Sequence, residues 1–189
     1  VRSRFGFKTK SFNLFGNDFY GGISFAVRPE WKNSNIIELY LYHQSSHFGD
    51  DYVLTTYTNS VNYSHEVVRV LHSLNIAQNF NLAYGFHYDL RRDVSMPKGR
   101  TTLQIDGRYD INLINRQFTL GLDFKSREIN KWTPDYSLQA GWKISSGNES
   151  DSRHPVQSLI FEYFNGHSNF GQFIQQREEY FLLGIMVNI

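Results

Sequence analysis

The sequence predicts an all-β protein, an antiparallel transmembrane β-barrel of about ten strands, an even number as bacterial barrels prefer. Three observations carry this expectation. Segment after segment alternates apolar and polar residues with period two, the strand period rather than the helical one. No apolar run approaches the roughly 20 residues that a spanning helix needs. Aromatic residues make up 16% of the chain, with 16 Phe and 12 Tyr, and many fall near proposed strand ends, as in an interfacial girdle. The mean hydropathy of −0.46 looks soluble, yet a membrane barrel has ordinary average hydropathy because lipid-facing and lumen-facing residues alternate.

Taken in chain order, weaker alternation marks Phe5 to Phe12, Phe19 to Val27, Ile37 to Ser45 and Val67 to Leu74. The next four segments are clear. Phe80, Leu82, Tyr84, Phe86, Tyr88 and Leu90 oppose Asn81, Ala83, Gly85, His87 and Asp89. Leu103, Ile105, Tyr109 and Ile111 oppose Thr102, Gln104, Asp106, Arg108 and Asp110. Phe118, Leu120, Leu122 and Phe124 oppose Gln117, Thr119, Gly121, Asp123 and Lys125, and Tyr136 to Ile144 repeats the pattern around Leu138, Ala140 and Trp142. Leu159 to Tyr163 and Phe181 to Ile189 complete the set. Each clear segment is near the 9 to 11 residues of a tilted spanning strand. Asn112 to Asn115 and Ser126 to Thr133 are turn-sized, so the order is a meander, and Gly49 to Asn62, Arg92 to Gly99, Ser146 to Pro155 and Asn165 to Glu178 are expected as the extracellular loops.

A soluble lipocalin-like barrel alternates too, with its apolar side turned inward. The aromatic distribution and a polar face mixing Asp, Arg, Lys, Gln and Gly favour the membrane form. Asp89, Asp106, Arg108, Asp123 and Lys125 are expected as charge pairs inside the barrel. The absence of cysteine excludes disulfides, and a net charge of +1 gives no case for nucleic-acid binding. One composition regime runs throughout, so a single domain over residues 1–189 is expected. The chain begins at Val1, as a mature form or a fragment would. Its closing Leu182, Gly184, Val187 and Ile189 fit the terminal pattern of barrel-insertion clients, with Ile where Phe is usual, so a native C-terminus is expected.

In the third segment, His43 and Ser45 share the parity of Ile37, Leu39 and Leu41, which puts a base and a nucleophile on an apolar, lipid-facing surface. Serine is a weak nucleophile until a base takes its proton and a third group holds the imidazole. On the next strand Asn62, Ser64 and Glu66 share the parity of Val68 and Val70; Asn62 is the expected third group. The contrary reading is an interfacial His and Ser without catalysis, with Asp50 and Asp51 as solvated loop acids. His47 reads as a loop residue or as a group that supports the site from behind, and His167 and Ser168 as turn contacts.

The run Leu41-Tyr42-His43-Gln44-Ser45-Ser46-His47-Phe48-Gly49-Asp50-Asp51-Tyr52, with Asn165 to Phe173 and Tyr180 to Gly184, resembles a bacterial envelope family known only as a domain of unknown function. The resemblance covers most of the chain from about Asn17 and implies a longer N-terminus, with twelve strands in a longer parent. More locally, His43-Gln44-Ser45 followed by Asp50 is similar to the active-site segment of outer membrane phospholipase A. That resemblance implies Ser45 as nucleophile, His43 as general base, Asn62 as the amide that orients the imidazole, and calcium on Asp50, with Asp51 able to add oxygen ligands. It makes membrane lipids the partners and the bacterial outer membrane the location. Two functions of different class follow: a calcium-assisted serine esterase acting on phospholipid or lipid A acyl chains, or a non-enzymatic barrel serving as a homodimer or as a subunit of a larger envelope assembly.

Overall fold

The computed structural model describes residues 2–6, 13–29, 35–49, 63–113, 116–144 and 156–188. They form one antiparallel sheet of ten strands: β1 (Arg2–Gly6), β2 (Asn13–Val27), β3 (Asn35–Phe48), β4 (Tyr63–Ala77), β5 (Phe80–Arg92), β6 (Thr101–Leu113), β7 (Arg116–Arg127), β8 (Pro134–Lys143), β9 (Val156–His167) and β10 (Arg177–Asn188). The strands lie in sequence order, each paired with its chain neighbours, which is the expected meander. The only helical pieces among the described residues are 3-10 turns at Glu128–Asn130 and Gly171–Phe173, and no helix there is long and apolar enough to cross a membrane.

Pleating sorts the side chains by parity. One face exposes Phe19, Ile23 and Phe25 on β2, Tyr84, Phe86 and Tyr88 on β5, Leu103 and Ile105 on β6, Leu120 and Leu122 on β7, Leu138 and Trp142 on β8, and Phe181, Leu183 and Ile185 on β10. The buried set on the other face is mostly polar: Asp18, Gln44, Ser46, His65, Gln104, Arg127, Asp135, Ser137 and His167, joined by Tyr63, Val67, Leu71 and Phe164. Of the charges expected as interior pairs, only Lys125 and Asp123 pair with each other, and the rest take other polar partners. Lys125 Nζ lies 2.9 Å from Asp123, His65 Nδ1 lies 3.0 Å from Asp89, and Gln104 donates to Asp106 and to Asp123. Arg108 instead pairs with Asp110, at 3.1 Å.

The sheet is strongly curled with the polar face inside. The segment after β9 turns inward, and Gly171 N donates to the Asp18 carboxylate of β2 at 3.1 Å while Gln172 N donates to Ser46 Oγ of β3, also at 3.1 Å. Gly171 is four residues beyond His167, a reach of about 14 Å at full extension. In a flat sheet β2 and β9 would stand seven strand spacings apart, or about 34 Å at about 4.8 Å each. Only curvature brings them together. The inturned segment also meets the end of β7 and the 3-10 turn after it: Arg127 Nη2 donates to Asn169 Oδ1 at 2.9 Å, and Asn130 Nδ2 donates to Ile174 O at 3.2 Å.

Two loop expectations are corrected. In a meander successive connections alternate between the two ends of the sheet, so the β8–β9 connection, which holds Ser146 to Pro155, joins strands at the end opposite the β3–β4, β5–β6 and β9–β10 connections. The four expected loops therefore do not share one side. Asn165, Gly166 and His167 pair with Glu179, Glu178 and Arg177, so the last loop shortens to residues 168–176, and its hydrogen bonds hold it inside the curl.

A Cβ on Gly171 would stand 2.4 Å from the Tyr63 ring and 2.7 Å from Ser46 Cβ. Gly171→Val is therefore expected to dislodge residues 168–176, costing about 1–3 kcal/mol as an overpacking change and exposing a protease-sensitive site while the strands remain paired. Unfolding in detergent and proteinase K mapping measure both.

Glu128, in the exposed β7–β8 turn, accepts from Arg100 N at 2.7 Å and Thr101 N at 3.1 Å. These N–H bonds, Arg100's the larger, hold its carboxyl below the ordinary 4.5. The turn's attachment is thus complete above the unfolded-chain value and lost as pH falls through the lower folded one. The Arg100 amide resonance should titrate with a midpoint under 4.5, and Glu128→Gln should abolish that titration.

Candidate functional site

Strand β3 carries different chemistry on its two faces. His43 and Ser45 point outward and Gln44 and Ser46 inward, a direct consequence of period two. Across the ladder His43 stands opposite Glu66 of β4 and Gly21 of β2, and Ser45 opposite Ser64 and Phe19. His43 Nδ1 lies 3.4 Å from Glu66 Oε1, with the two side chains 45% and 43% exposed. On the other flank, a Cβ placed on Gly21 would meet nothing within 4 Å. The imidazole therefore has a carboxylate on one side and an open notch on the other. Among the described residues Ser45 Oγ has no hydrogen-bond partner, so its bond to His43 is not made in this conformation.

The sequence places His43 and Ser45 on one outward face, and the structure does the same. Asn62, Asp50 and Asp51 lie outside the described residues. Glu66, of the same parity as Asn62, is the group found against His43, and its signal was legible as i+4 from Asn62 on an alternating strand. His47 is not a loop residue. It lies in β3, one residue before the strand's end, paired with Asn17, and meets the Phe19 ring edge-on at 6.1 Å. Calcium takes six to eight oxygens, and the described residues contain no group of three or more His, Cys, Asp or Glu that would hold a metal.

Inside the curl the same strand is locked. Asp18 accepts from Gln44 Nε2 at 3.0 Å and from Ser46 Oγ, and is fully buried. His65 spans Gln44 Oε1 and Asp89 Oδ1, each at 3.0 Å, so both ring nitrogens face acceptors. A second buried cluster joins His167 Nδ1 to Asp135 at 2.7 Å, with Arg127 Nε 3.6 Å from the same carboxylate. His167 thus belongs to a buried ion cluster, while Ser168 makes the expected turn contact, its Oγ accepting from Phe170 N at 3.2 Å. The locking residues Asp18, His65 and Asp135 were not singled out from sequence. Their spacing carries no motif, and only inward parity marks them.

The chain belongs to the family described as "Protein of unknown function (DUF1207)", whose model matches residues 1–188. No curated protein and no solved structure matches it.

The two histidines facing opposite ways have opposite energetic roles. His65→Ala strips partners from buried Gln44 and Asp89 and is expected to cost about 2–4 kcal/mol. His43→Ala removes a half-exposed side chain and should stay within about 0.5 kcal/mol. Parallel unfolding curves in detergent compare them.

Proposed function

We propose that this protein is a bacterial outer-membrane β-barrel, its curled sheet closed around the polar face, and that Ser45, His43 and Glu66 form a lipid acyl-ester hydrolase site on its outer wall. The apolar outward face supports the membrane reading, because a soluble protein rarely exposes a contiguous apolar surface of that extent. The observation that carries the enzymatic reading is the His43 to Glu66 pair, with Ser45 two residues along the same apolar face. Polar groups on a lipid face are costly and mark function. Lateral diffusion brings acyl esters to an outer wall, which a lumen would not do.

In this reading Glu66 accepts a hydrogen bond from Nδ1–H of His43, which fixes the tautomer and leaves Nε2 as the base. An ester bound over the Gly21 notch turns Ser45 toward that nitrogen, and apo sites often tighten in this way on binding. Ser45 Oγ attacks the acyl carbon as its proton passes to His43. The ester C–O bond breaks, the alcohol leaves with that proton, and water, deprotonated by His43, releases the fatty acid from the serine. In the same proposal Asp50 and Asp51 would hold a calcium ion, whose charge would support the developing oxyanion.

Ser45→Ala and His43→Ala are each expected to abolish hydrolysis of mixed-micelle phospholipid while heat-modifiable folding persists. Glu66→Gln should lower kcat by about 10²–10⁴, and Asn62→Ala by less. The reverse order would return the orienting role to Asn62. Assays with calcium and with a chelator test the Asp50 and Asp51 role. No hydrolysis by the wild type under either condition would leave a non-enzymatic barrel, a homodimer or an envelope-assembly subunit, as the reading.

A further inference from the structure

Strand β5 breaks its own alternation beside this site. Along most of it, Tyr84, Phe86 and Tyr88 point outward while His87 and Asp89 point inward. Strict period two would send residue 91 inward with Asp89. The β4–β5 register instead runs Val67 to Asp89 and then Glu66 to Arg91, so Leu90 is an extra residue on β5. Such a bulge re-aims the side chains that follow it. Arg91 comes out exposed beside exposed Leu90, and Arg92 takes the inward place, donating to Pro97 O and Gly99 O.

The bulge is held. Arg100 Nη1 donates to Asp89 O at 3.0 Å and to Leu90 O at 3.2 Å, and Asp93 N restores the pairing beyond it by donating to Ser64 O at 2.9 Å. Its consequence is a single outward row across four strands: Gly21, His43, Glu66 and Arg91. Arg91 is two strand spacings from His43, about 10 Å between backbones, a gap that an extended arginine side chain crosses in part. Among the described residues no carboxylate, Glu66 included, pairs with Arg91.

An unpaired guanidinium on an apolar face needs an anion. We propose that Arg91 is the phosphate subsite of the lipid-ester site, so that the substrate class is a glycerolipid or saccharolipid bearing a phosphate close to its ester. The inference rests on the lipid-ester reading of Ser45 and His43. Arginine's planar fork matches two phosphate oxygens, which gives orientation as well as affinity. With the phosphate held at Arg91 and the acyl chains along the outer wall, the ester between them lies over the Gly21 notch and His43. Glu66, between the two, turns one oxygen to His43 and presents negative charge that keeps the phosphate on the Arg91 side of the row.

Binding tests this separately from turnover. Purified full-length chain in a neutral detergent is exposed to dimyristoyl phosphatidylglycerol or dimyristoylglycerol, and bound lipid is counted by native mass spectrometry for wild type, Arg91→Gln and Arg91→Lys. Wild type should prefer the phospholipid by about tenfold or more, the scale of one charge-assisted contact. Arg91→Gln should erase that preference without changing diacylglycerol binding, and Arg91→Lys should keep part of it. Inorganic phosphate should not compete, since it lacks acyl chains; full competition would reassign Arg91 to free phosphate and overturn the lipid subsite. Equal preference in wild type and Arg91→Gln would overturn it as well. Failure of the wild type to hydrolyse any ester bears on Ser45 and His43 alone, because the binding ratio needs no turnover.

Discussion

The rest of the structure depends on where the polar side chains go. A ten-stranded antiparallel sheet with apolar residues on its outer face must satisfy the alternate residues within itself, because a buried unpaired charge or amide costs more than its contacts return. Here they are paired across strands. Asp18 collects Gln44, Ser46 and the Gly171 N–H, His65 joins Gln44 to Asp89, and Asp135 holds His167 beside Arg127. These bonds reach between β2, β3, β4, β5, β7, β8 and β9. Through Gly171 and Gln172 they also tie β2 and β3 to the segment after β9, so the curl and the polar network sustain each other.

The inturned β9–β10 segment makes that network continuous. Residues 168–176 contribute backbone donors that the strands cannot offer, since strand N–H groups are committed to the ladder. Gly171 and Gln172 bring N–H groups to Asp18 and Ser46, and the Phe173 ring sits 5.3 Å from the Phe48 ring. Glycine at 171 is required by space, with the Tyr63 ring where a side chain would be. One end of the curl is consequently filled by chain rather than by long side chains alone.

Alternation made most of the fold legible. Four segments from Phe80 to Ile144 declare their period in sequence, and β5 to β8 match them within a few residues. Outward His43 and Ser45 followed from Leu39 and Leu41 by parity alone. Two kinds of feature were not legible. Partners across the ladder depend on register, which turns and bulges set, so parity makes Glu66 a candidate but only the register puts it directly opposite His43. Arg91 was hidden for the same reason, because period two assigns it to the wrong face and one extra residue, Leu90, reverses the assignment. The inward path of residues 168–176 was hidden because a segment of Ser, Asn, Gly and three Gln interspersed with Phe and Ile carries no period that says which way it folds.

The two faces of β3 are mechanically one object. Gln44 and Ser46 are fixed inside by Asp18, His65 and Gln172, and they flank Ser45 and follow His43 along the backbone. A side chain on a strand is only as well placed as the strand, and catalysis tolerates little misplacement. In the proposed site the inner bonds therefore do the positioning and the outer residues do the chemistry. The outer surface of the proposed site can then stay open on the Gly21 side, because Glu66 is the outer group that orients His43 and the strand itself is held from within. The same division explains the open flank at Gly21. A packed neighbour there would steady His43 but occupy the space that the proposed ester would fill, and Glu66 on the other flank, with the buried network behind the strand, serves in its place.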